Sequence, residues 1–121
     1  MSDEVFMDHI SNPRNFGEIK DTDMFAQSPP GIDGDLVQLF IKLGKGGKIE
    51  DIKFRTFGCS MCIGASSFLT ELVKGRTLRA ARKVSLKDLA PVLGDKPRHL
   101  LHCHDLALNL LHSMIDEKLG K

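Results

Sequence analysis

The chain has 121 residues and no apolar run approaching the roughly 20 that a membrane-spanning helix needs. Membrane insertion is therefore not expected. Its acidic start, Met1-Ser2-Asp3-Glu4, leads into no continuous apolar stretch of the secretory kind, so a cytoplasmic protein is expected. Nor is there an excess of one charge. Lys and Arg number 17 against 16 Asp and Glu, which leaves no field to draw in nucleic acid. No basic stripe interleaved with stacking aromatics is present either, and nucleic-acid binding is excluded as an expectation. Cysteine is scarce. Three thiols cannot all pair within one chain, and a disulfide framework would be unusual in an unexported domain, so free thiols are expected. No internal repeat or low-complexity segment appears, and one domain over residues 1–121 is expected.

What is present is a change of period along the chain. Val5, Phe6 and Ile10 suit one face of a helix from Asp3 to Ile10, stopped by Ser11-Asn12-Pro13. The stretch from Asn15 to Gly34 reads as mostly exposed loop, with an edge strand over Met24 to Gln27. Leu36 to Leu43 alternates, with Val37, Leu39, Ile41 and Leu43 inward and Gln38, Phe40 and Lys42 outward. Gly44-Lys45-Gly46-Gly47 makes a hairpin turn into a second strand, Lys48 to Phe57. Beyond Gly58 the period lengthens: Ala65, Phe68, Leu69, Leu72 and Val73 mark a helix that Gly75 stops. Short helical pieces are expected over Thr77 to Arg82 and Ser85 to Leu89, then a last helix from near Cys103 to Gly120. Strands followed by helices predict an α+β domain.

Two cysteines, Cys59 and Cys103, fall at expected helix starts. Unpaired N–H groups and the positive end of the helix dipole favour thiolate there, the form that binds metal or attacks sulfur. Each thiol taken singly also reads as a small buried hydrophobe, and it is their joint placement that points to a site. Cys62 follows Cys59 by three residues. It reads either as an inert thiol one turn into an apolar helix or as the second half of a C-x-x-C pair. His102 and His104 flank Cys103, and His102, ahead of the helix, is the freer to turn toward a metal. Asp33-Gly34-Asp35 precedes the central strand, either as an ordinary turn or as a carboxylate source. His9, His99 and His112 have no local partner set and read as solvated or structural.

These residues resemble the IscU scaffold proteins and the equivalent N-terminal domain of NifU, over nearly the whole chain. The resemblance is carried by Asn12-Pro13-Arg14-Asn15, Gly34-Asp35, Ile49-Glu50-Asp51-Ile52-Lys53-Phe54, Phe57-Gly58-Cys59, Ala65-Ser66-Ser67, Thr70-Glu71, Lys74-Gly75 and His102-Cys103. It implies a three-stranded antiparallel sheet packed against helices, of the IscU and SufE kind. It also implies a cysteine desulfurase as sulfur donor, apo acceptor proteins as recipients, and a transient [2Fe-2S] cluster, iron or zinc at one end. Carried over by position, the family's second and third cysteines are Cys59 and Cys103, its histidine His102 and its aspartate Asp35. Asp33 stands where the first cysteine is expected, and Cys62 is an extra thiol that could take its place. A hard carboxylate for a thiolate weakens the match to soft sulfur chemistry. Lys96-Pro97-Arg98-His99-Leu100 replaces a Leu-Pro-Pro-Val-Lys docking motif, so an Hsp70-type chaperone is not expected. A homo-oligomer is left open.

Three functions follow. The first is a non-enzymatic scaffold that assembles a cluster on Cys59, Cys103 and a subset of Asp33, Asp35, His102 and Cys62, then hands it on. The second is a zinc-dependent sulfur acceptor of the SufU kind, a sulfurtransferase with Cys103 as candidate persulfide acceptor and zinc on Asp35, Cys59, Cys103 and one more group. The third is a regulatory paralogue that occupies the desulfurase.

Overall fold

A computed structural model describes residues 2–30, 34–57, 60–89 and 102–120, with the side chains of 2, 3, 60, 61 and 102–104 left out. Helix α1 (Ser2–Ser11) comes first, then β1 (Met24–Gln27), β2 (Leu36–Leu43) and β3 (Ile49–Phe57). Helices α2 (Ser60–Val73), α3 (Leu78–Arg82) and α4 (His102–Leu119) follow, with a 3-10 turn at Leu86–Leu89. The three strands form one antiparallel sheet in the order β1-β2-β3. This is the α+β arrangement expected from the change of period.

Inward residues of all three strands build the core. Val37, Leu39, Ile41, Ile49, Ile52 and Phe54 are fully buried, together with Leu69 and Val73 of α2 and Leu111 and Ile115 of α4. Each such side chain contributes about 1.5–3 kcal/mol of transfer free energy, so the helix layer is held to the sheet chiefly by this seam. Gly46 (φ 70°) and Gly47 (φ 74°) take the left-handed backbone that the β2–β3 hairpin requires. The hairpin is then pinned to the end of α2, where Gly75 N–H donates to Ile49 O at 2.8 Å and Ile49 N–H to Arg76 O at 2.7 Å.

Three details depart from the sequence reading. Residues 15–17 are not simply loop: Phe16 bridges Phe54 in parallel, with Gly17 N–H on Phe54 O at 2.8 Å and Phe54 N–H on Asn15 O at 2.9 Å. Satisfying the outer edge of β3 this way removes an unpaired strand edge. Phe40, on the outward face, is only 9% exposed, because Phe25 of the neighbouring strand leans on it with ring centroids 4.9 Å apart. Leu43, expected inward, is only partly buried, beyond the register shift at Lys42 and Leu43.

Candidate functional site

Register places the ends of the candidate segments together. Leu36 pairs with Phe57, so the entry to β2 and the exit from β3 share one end of the sheet. Asp35 stands at that entry with 1% exposure, after Gly34 turns the chain at φ 80°. A buried carboxylate is costly unless its charge is met by donors or a metal ion, so its position is chemically significant. α2 starts at this end, three residues after Phe57, and finishes beside the hairpin at the other. α4 runs the same way. Ser113, Met114, Glu117 and Lys118, in its second half, line a groove with Asp23–Ala26, beside the β1 residue Met24 that pairs with Ile41. On its other side, Arg82, five residues past the Thr77–Lys48 bridge at the hairpin end, pairs with Asp116, and Val84 O with His112 Nε2, so the first turn of α4 is directed away from the hairpin end.

Of the expected ligands, Asp35 and Cys62 are described in full. Cys62 is a free thiol with no exposed surface, one turn into α2. It packs with Ala65 in a small cluster separate from the main core. Asp33 and Cys59 lie outside the described residues, as do the side chains of His102 and Cys103. Among the described residues, no three His, Cys, Asp or Glu groups converge closely enough to hold a metal ion.

A second constellation has a catalytic look and a structural role. His9 Nδ1 lies 2.7 Å from Ser67 Oγ, and its Nε2 lies 3.6 Å from Glu71 Oε1. The imidazole is 3% exposed and sets its edge on Phe68, while Ser67 has no exposed surface, so no substrate reaches the pair. Arg14 N–H also donates to Ser67 Oγ at 2.8 Å, and Asn15 Nδ2 donates to Thr70 Oγ1 at 3.2 Å. This polar seam ties α1 and the Asn12-Pro13-Arg14-Asn15 corner to α2. Burial, with the Arg14 guanidinium adding to it, pushes the His9 pKa below the usual imidazole value. Asp8 is held below the usual carboxylate range, first by its hydrogen bond from Arg14. His112 is structural as well, with Nε2 2.8 Å from Val84 O.

Sequence reasoning used Ser66 only as part of the resemblance and gave it no role. Its hydroxyl is fully buried and has no hydrogen-bond partner among the described residues. The available signal was its spacing, four residues after Cys62, which puts both on one face of α2.

The whole chain, residues 1–121, matches the NifU-like N terminal domain family. The iron-sulfur cluster assembly scaffold protein IscU 1 of Archaeoglobus fulgidus is 44% identical over 114 residues, 94% of this chain and 73% of that protein. The IscU scaffold protein of Aquifex aeolicus is 39% identical over 119 residues, 98% of this chain and 76% of that one. In fold, the N-terminal NifU-like protein of Brucella abortus superposes with a TM-score of 0.76 at 18% identity, covering 98% of this chain and 94% of that one. With that sheet, those helices and matches spanning nearly its full length, the chain belongs to the NifU-like N-terminal domain family of IscU-type proteins.

Proposed function

We propose that the chain is a scaffold for iron-sulfur cluster assembly, taking sulfur from a cysteine desulfurase and iron as cargo and passing the cluster to apo proteins. The observation that supports this reading is Asp35, buried at the end of the sheet where β3 leads into α2. Identity of 44% to a protein named as such a scaffold supports it. Cys59 and Cys103 are the sulfur ligands, Asp35 and His102 complete or exchange with them, and Asp33 or Cys62 fills the place of the missing thiolate. Weak oxygen ligands leave readily, which suits a carrier that must release what it holds. Anaerobic reconstitution with iron and sulfide is expected to give a [2Fe-2S] chromophore that Cys59→Ser and Cys103→Ser abolish. A colourless wild-type protein would reject the scaffold.

Asp33 itself favours a second reading, a zinc-bound sulfur acceptor. Asp35, Cys59 and Cys103 would hold zinc, and Cys103, released from the metal, would attack a desulfurase persulfide. Its sulfur anion would take the terminal sulfur, and the donor cysteine would leave as thiolate. Stoichiometric zinc with strong stimulation of desulfurase turnover is expected here; metal-free protein that leaves turnover unchanged would reject it.

A further inference from the structure

Two buried groups on α2 stand apart from the main core and from the polar seam. Cys62 lies outside the main hydrophobic core, with Ala65 as its companion. Ser66, one turn further on the same helix face, has a hydroxyl with no surface and no partner among the described residues. Leaving such a hydroxyl unpaired costs about 1–3 kcal/mol, and more than nine in ten buried polar groups avoid that cost. The other described hydroxyls of this helix are engaged: Ser67 with His9 and Arg14, Thr70 with Asn15 and with Ser67 O. Ser66 is thus an unengaged donor midway along α2, one turn beyond Cys62, which lies in the first turn of the helix. A thiolate is the acceptor its spacing fits, since residues four apart on a helix are neighbours.

We propose that Cys62 supplies a third thiolate to the metal-sulfur site and that Ser66 is its positioning residue. This rests on the metal-binding reading above and deepens it. When metal binds, the Cys62 S–H bond breaks, its proton passes to solvent, and a sulfur-metal bond forms. The Ser66 O–H then turns onto that sulfur and stabilises the buried charge, in the manner of the hydrogen bonds that support metal ligands elsewhere. With Cys59, Cys103 and Asp35, Cys62 would give zinc the four ligands it takes. The extra thiol on α2 thereby answers the cysteine absent at Asp33.

The test is titration of the full chain with cobalt(II) under anaerobic conditions, read by the sulfur-to-cobalt charge-transfer band. Cys62→Ala is expected to remove about one third of the band, as three thiolates become two. Ser66→Ala is expected to keep the band's intensity but weaken cobalt binding by about 10-fold or more. An unchanged band in folded Cys62→Ala overturns the thiolate, and unchanged affinity in Ser66→Ala overturns the positioning role. Absence of any band in the wild type overturns the metal-binding reading as well, which separates the two failures. Should the variants fail to fold, X-ray absorption of the zinc-loaded wild type decides: three sulfurs at about 2.3 Å are expected, and two would overturn the proposal.

Discussion

At the scale of single residues, the sharpest constraint is Gly64. A Cβ there would stand 2.6 Å from Phe6 Cε1 and 2.8 Å from Ile10 Cγ1, so α1 approaches α2 over bare backbone. Gly64→Ala should destabilise the fold by about 1–3 kcal/mol through this overpacking, despite the better helix propensity of alanine. Urea unfolding measures it, and an unchanged midpoint would refute the close approach. Asp35 belongs to the same scale. Asp35→Asn removes the charge while keeping shape, and is expected to cost zinc affinity about 10-fold or more, measured by chelator competition. Little of this was legible from sequence. Gly64 sat unremarked inside a helical pattern because its neighbours are 54 and 58 positions away, and His9 lacked a local partner because Ser67 is equally distant.

At the scale of elements, sequence reading did better, because the signals are local. Alternation marked β2 over Leu36–Leu43, and Gly75 marked the end of α2. Thr77 was read as part of a short helix and proves to be its N-cap, accepting from Ala80 N–H at 3.1 Å. Pairings between elements were the illegible part: Phe25 covering Phe40, and Phe16 closing the edge at Phe54, are choices of neighbour that no period encodes. The α1–α2 seam gives a pH prediction. His9 has its pKa lowered by burial, so the unfolded chain takes the proton first. Above the ordinary imidazole value of 6.5 both states are neutral and there is no penalty. As pH falls through that value toward the lower folded one, stability should decline, then level off with respect to this group. Urea midpoints between about pH 7.5 and 5 test this. His9→Gln should flatten that part of the profile, and an equally steep variant would contradict the assignment.

At the scale of the whole molecule, the account depends on distant segments meeting. The sequence supplied the candidate residues, since cysteine, histidine and aspartate at element boundaries are visible in one dimension. It could not supply which end of the sheet each segment reaches, which comes from the Leu36–Phe57 register and from the packing of α2 and α4 on the sheet. Family likeness extends this to cluster assembly, and by the resemblance Asp33 stands where the first cysteine is expected.

The most direct measurement is a bridging reaction in the Cys62→Ala protein, which retains only Cys59 and Cys103. A short bifunctional reagent such as dibromobimane, fluorescent once both arms have reacted, should join the two thiols in the folded metal-free chain, and prior addition of zinc should block it. Two thiols that label singly and never bridge, with zinc making no difference, would contradict a shared site.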